Sequence, residues 1–185
     1  MRQSQIRFFV EQGYRVPGDD SGWYSALRVQ PAIVGLVVLL GAALQSAVVF
    51  FALALVLWWN ALLPTVGPFE LVLNRRQRAR GLPLLPPAPS PRRFAQGLAG
   101  LMAVVIATAL LLGASLTAWI VEALLAAAAA MVVFAGRCAG SALFNALQRI
   151  RTRRRTRESP TQRRRALGEP LPLTAAGSRR RGNEA

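Results

Sequence analysis

Few side chains in this 185-residue chain combine reactivity with a place where reactivity would matter. Glu122 stands inside an apolar run, about 10 Å along a helix that begins near residue 116. A carboxylate at that depth in a membrane segment is costly and marks a proton or cation site. In an antiparallel hairpin closed at 113–115, the level of Glu122 on the preceding helix is that of residues 106–108, so Thr108 is its expected hydrogen-bond partner. The alternative is a deeper-set helix that leaves Trp119 and Glu122 together at the headgroups. Cys138 is the single cysteine, which excludes an intramolecular disulfide. Arg137 beside it favours a thiolate, whereas a helix C-terminus opposes one; the alternative is a small residue packed at a helix end. Gly136 and Gly140, four apart, suit such close packing. Gln96 and Asn60 are amides near the ends of apolar segments, placed to bond each other or the intervening backbone and hold those segments together. Solvation at the interface is the alternative for both.

Other chemistry is poorly supplied. The chain has no histidine, which removes the commonest general base and metal ligand. No Walker loop, dinucleotide fingerprint, serine elbow or zinc spacing appears. We therefore expect no catalytic constellation, no cofactor and no metal site.

The elements that must position these residues follow from how charge and hydropathy are segregated. The chain is 53% hydrophobic, yet its net charge is +15, and all 23 basic residues are arginine. An excess of Ala, Gly and Pro beside the arginines points to a GC-rich genome rather than to guanidinium chemistry. The arginines fall in connectors and tail: four in residues 1–28, six in 64–93 and twelve in 149–185. The last two groups include Arg75, Arg76, Arg78, Arg80, Arg92 and Arg93, then Arg149, Arg151, Arg153, Arg154 and Arg155.

Residues 32–63 carry no charge and would span about 48 Å as one helix, against a hydrocarbon core of about 30 Å. Gln45 and Ser46 are the natural turn, giving spans of 29–44 and 47–63. Residues 94–134 would span about 62 Å as one helix, and the break at Gly113, Ala114 and Ser115 gives spans of 94–112 and 116–134. With four spans every arginine cluster lies on one side, as the positive-inside rule favours; with two, the connector 64–93 would have to be translocated. The expected fold is thus an all-α integral membrane protein, two helical hairpins at 29–148, with both termini and the connector cytoplasmic. Trp23 and Tyr24 would sit at headgroup level. Residues 1–28 read as a small extramembrane arm with a short helix around 6–11, broken by Gly13, Pro17 and Gly18. No cleavable signal pattern precedes the first span.

From 136 to 157 helical spacing continues as an extension of the last span. Leu143, Phe144, Leu147 and Ile150 form one stripe, and the arginines that follow suit anionic headgroups or a stop-transfer flank. Residues 149–185 read as a basic, mostly disordered tail. Residues 145–185 contain no aromatic residue for base stacking, so anionic lipid is a simpler partner than nucleic acid. Ala126 to Ala130 give the last span a thin wall for close packing.

Pro91, Arg92, Arg93, Phe94, Ala95 and Gln96, with Pro68-Phe69 before them and Gly136-Arg137-Cys138-Ala139-Gly140-Ser141 after the second hairpin, resemble a known pattern. Over about residues 27–148 the chain is similar to the bacterial integral-membrane family catalogued as domain of unknown function 4395. That family typically carries a cysteine pair at the end of the last segment. Here Cys138 matches its first position and Ser141 its second. The resemblance implies a plasma-membrane protein, and the family's cysteine pair implies thiol or sulfur handling, in which Ser141 cannot share a disulfide. The expected role is a non-enzymatic accessory or scaffold subunit, associating with itself or a membrane partner. Alternatives are a small transporter or channel-like protein using Glu122, or a membrane component of thiol metabolism using Cys138.

Overall fold

The computed structural model describes residues 3–16 and 22–157, and over them the chain is helical without strands. Seven helices follow one another: α1 Gln3–Gln12, α2 Trp23–Leu44, α3 Ala47–Leu62, α4 Pro68–Ala79, α5 Ser90–Leu111, α6 Ser115–Ala135 and α7 Ala139–Arg157. The chain divides into two units, Met1–Ala146 and Leu147–Ala185. In the second, residues 147–157 are the C-terminal part of α7. The tail from 158 onward, and the expected breakers Pro17 and Gly18, lie outside the described residues.

Helices α2, α5 and α6 are each long and apolar enough to cross a membrane, and α3 is a shorter apolar helix of 16 residues. The turn between α2 and α3 is made by Gln45, in the left-handed region at φ 48°, and Ser46, whose Oγ accepts from the Val49 N–H at 3.5 Å. Gly113, at φ 70°, turns α5 into α6. α3 packs along α5, α5 on α6, α6 on α2, and α2 more lightly on α3. The four helices therefore form a closed ring in the order α2, α3, α5, α6, with Val38, Phe50, Leu57, Ile106 and Leu125 at its centre. Close approaches use small residues: a Cβ on Gly100 would lie 2.6 Å from the Trp58 indole, and one on Gly35 3.3 Å from Ala129.

A second core caps one end of the ring. Phe8, Phe9 and Tyr14 from the N-terminal region pack with Leu27, Val132, Leu73 of α4 and Leu85. This core departs from expectation in two ways. Residues 1–28 are not a separate arm, because α1 is buried against the bundle and α2 begins at Trp23 rather than 29. The connector is not only a charged loop, since Gly67 and Pro68 start α4, and Asn74 returns its Oδ1 to the Leu85 N–H at 2.9 Å. The apolar pattern of α4 is too sparse to have announced a helix, and its burial depends on the aromatic pair of α1.

The last span does not extend into the basic segment. Gly136 adopts φ 63° and, with Arg137, returns backbone N–H groups to Val132 and Met131, a Schellman-type stop. Gly136 thus ends α6 with only ordinary contact to Tyr24 and Phe8, while Gly140 sits tightly on Ala95.

Candidate functional site

The first turns of α5 decide the polar chemistry. Residues four or three apart share a helix face, and Arg92, Gln96, Gly100, Ala103 and Ala107 form its buried stripe. The register carries the Arg92 guanidinium inward, where it is 6% exposed. Its Nη1 donates to Gln12 Oε1 at 3.1 Å and its Nη2 to Gln30 Oε1 at 2.5 Å. The guanidinium carbon lies 5.8 Å from the Tyr14 ring centroid. Arg93, one residue on, turns the other way and donates Nε to the Ala61 carbonyl at 2.6 Å, satisfying the C-terminal end of α3. Arg92 is therefore not free for lipid headgroups as expected, because it is buried and committed to partners within the fold, whereas Arg93 is half-buried with its Nε held by α3. Arg75, Arg76, Arg78, Arg80, Arg149 and Arg151 are exposed; the side chains of Arg153, Arg154 and Arg155 lie outside the described residues.

Removing a guanidinium from water costs several kcal/mol unless it is paired. Two amide carbonyls each accept one N–H from it but leave its charge in place. Glu70 of α4 acts on it only through space, and burial pushes the Glu70 carboxyl above the usual range, with Arg92 opposing that rise. Burial likewise raises the Tyr14 phenol, again with Arg92 pulling it down. Glu70 Oε2 has no hydrogen-bond partner. Beside it Asn60, fully buried, donates Nδ2 to Val56 at 2.7 Å and accepts from the Phe69 N–H at 3.4 Å. Asn60 thus ties α3 to the start of α4, the backbone attachment its position suggested.

Gln96 behaves differently. It is 6% exposed, and neither its Oε1 nor its Nε2 has a partner. It holds no hairpins together; it lines a cavity of about 250 Å³ between α2, α5, α6 and the start of α7. Arg92, Gln12 and Gln30 line the same end, and Leu57, Met102 and Leu125 belong to the apolar wall. Ala128 and Ala129 leave that wall thin enough for a void, so part of the alanine run makes space rather than contact. Cys138 is half-buried on the lining, packed beside the second core.

Glu122 lies toward the opposite end of the ring, 2% exposed and with both carboxylate oxygens unpartnered. Thr108 does not serve it: that residue is on the exposed side of α5, while Ile106 and Ala107 face inward. The expected level was reasonable, but the helix rotation at Thr108 is wrong for contact. Gln45, at the α2–α3 turn, is the polar group that acts on Glu122, and its Nε2 is engaged by the Ala42 carbonyl at 2.7 Å. Ser141 is fully buried and donates to the Pro91 carbonyl at 3.3 Å. Among the described residues no group of three potential ligands could hold a metal ion.

The family model described as "Domain of unknown function (DUF4395)" matches residues 24–149. The chain belongs to that family. No curated protein and no solved structure matches it. The matched segment holds Gln30, Arg92, Gln96 and Cys138, while Gln12 and Tyr14 lie before it. Sequence reasoning missed Gln12, Gln30, Tyr14 and Glu70. For Gln30 a signal existed: it interrupts the α2 stripe Leu27, Val34, Val38 and Gly41, a polar side chain where an apolar one would face the core.

Proposed function

We propose that the protein is a four-span protein of the bacterial plasma membrane, with both termini and α4 in the cytoplasm. Its role is that of a non-enzymatic accessory or scaffold subunit. The observation that carries this reading is the outward face of the helix ring, where Leu36, Leu39, Val48, Leu55, Ile120 and Leu124 are exposed. Such an apolar surface suits lipid tails and a neighbouring membrane helix, from a second copy or another protein. The exposed arginines of α4 and α7 suit anionic headgroups. A membrane-impermeant maleimide added outside intact cells should label Ser46→Cys and Ser115→Cys in a Cys138→Ser background, and cross-linking in native membranes should recover a defined complex. Labelling only after the membrane is opened would reverse the topology, and a chain recovered solely as monomer would remove the scaffold role.

A second reading has one specific support, the unpartnered buried carboxylate of Glu122. It makes the protein a small transporter or channel in which that group takes up a proton or cation. Glu122→Gln should then abolish ion flux in proteoliposomes; unchanged flux removes this reading. The thiol reading rests on Cys138 alone, and an unaffected Cys138→Ser strain in sulfur-limited growth would remove it.

A further inference from the structure

The cavity between α2, α5, α6 and the start of α7 is lined at one end by groups that donate hydrogen bonds. An arginine can only donate, so Gln12 and Gln30 must turn their amide oxygens to Arg92. What each amide retains is its NH₂ end, and both residues belong to the cavity lining. Gln96 adds another amide, buried and with neither polar atom engaged. Arg92 itself brings a buried positive charge, which among the described residues meets no ion-pair partner and feels Glu70 only through space. Donors and charge agree in sign: this end of the cavity is built for an anion.

The remainder of the lining is hydrocarbon. Leu57, Met102 and Leu125 continue from the polar end toward the centre of the ring. A free inorganic anion would leave those walls unused, and a neutral alkyl chain would leave the guanidinium unmatched. The volume, about 250 Å³, falls just below the range usual for small-molecule sites, about 300–1,000 Å³. That size suits one alkyl chain rather than two.

We propose that this cavity binds a single-chain anionic amphiphile, with a carboxylate or phosphate held by Arg92 and the Gln12, Gln30 and Gln96 amides and its chain along Leu57, Met102 and Leu125. The proposal does not depend on the scaffold reading, since a lipophilic anion could occupy the ring whatever the chain assembles with. Cys138 supplies a reporter, because it lies on the same lining and a bound chain would shield its sulfur from alkylation.

The test uses the full chain in nanodiscs of zwitterionic phosphatidylcholine, following the rate of Cys138 alkylation and direct binding of a fluorescent fatty acid. Palmitate and hexadecyl phosphate are expected to slow alkylation saturably and to displace the fluorescent probe. Hexadecanol, with the chain but no charge, and inorganic phosphate, with the charge but no chain, are expected to do neither. Arg92→Met should weaken binding roughly ten- to hundredfold, as expected for losing a hydrogen bond to a charged group. Since Arg92→Met also removes structural bonds, Ala128→Phe provides a second variant, filling the cavity while keeping every polar group, and should likewise abolish protection. Equal protection by hexadecanol would mean partitioning without anion recognition and would overturn the proposal. So would protection by phosphatidylglycerol but not by palmitate or hexadecyl phosphate, which would make this a two-chain lipid site, or full palmitate binding by folded Ala128→Phe.

Discussion

Glu70 is the residue whose ionisation the fold resists most plainly outside the apolar helices. Burial raises its carboxyl above the usual range, against the pull of Arg92, so the folded chain favours the protonated form. Below the unfolded-state pKa both states hold the proton and its stabilising contribution is complete. As pH rises past that value the unfolded chain ionises while the folded chain resists, and stability falls until the folded-state pKa is passed. Glu70→Gln cannot ionise and should flatten this slope, melting close to the parent at pH 4 but higher at pH 8, by about 1–3 kcal/mol for relieving a buried unsatisfied charge. Thermal melts across pH would check it. A variant less stable than the parent at pH 8 would mean that attraction to Arg92 and to the α4 N-terminus outweighs burial. Arg92 shows how far such a residue is legible in advance. The motif around it was visible, but adjacent arginines look alike until helix rotation is known. The rotation of about 100° between successive residues sends Arg92 into the bundle and Arg93 to the Ala61 carbonyl. Glu122 was legible by its isolation in an apolar run; Thr108 was misassigned because level along a helix does not fix the face.

At the scale of elements, the breaks were readable wherever the chain changes composition. Gln45-Ser46 and Gly113 interrupt apolar runs too long for one span, and turns stand at both. The helices α1 and α4 were less readable, because each is short and takes its burial from the other and from the ends of α2 and α6. The junction of α7 with α5 depends on a still finer feature. A Cβ on Gly140 would fall 2.7 Å from Ala95 Cβ and 2.8 Å from its Cα. Backbone lies on the far side of that contact, so no side-chain rotation relieves it. Gly140→Ala should therefore push the start of α7 from α5 and cost about 1–3 kcal/mol, the usual effect of overpacking. The same movement should loosen the Ser141 bond to Pro91 and speed alkylation of nearby Cys138. Gly97→Ala on α5 is the matched control, since its Cβ would meet nothing within 4 Å. That variant should be neutral or more stable by up to about 1 kcal/mol, because alanine costs less to order in a helix. Equal melting of the two variants would show that the Gly140 contact does not constrain the junction.

For the molecule as a whole, the proposed membrane orientation sets a thickness. α3 has 16 residues, a rise of about 24 Å. The apolar part of α5, after Arg93, covers residues 94–111 and rises about 27 Å. Both fall short of a hydrocarbon core of about 30 Å. The ring cannot lengthen one helix independently, because α3 is packed along α5 and tied to α4 through Asn60. Tilting would shorten its reach further, so the available adjustment is for the bilayer to thin around it. Trp59, half exposed at the end of α3 near the arginine-bearing end, would then mark the interface. Reconstituted into phosphatidylcholine bilayers of graded acyl length, the chain should melt highest in the thinner ones and lose stability in thicker ones, at a fraction of a kcal/mol per Å of mismatch. Trp59 fluorescence should shift toward the hydrocarbon as thickness grows. A melting temperature that rises continuously with acyl length would mean that α3 does not span the core with its neighbours.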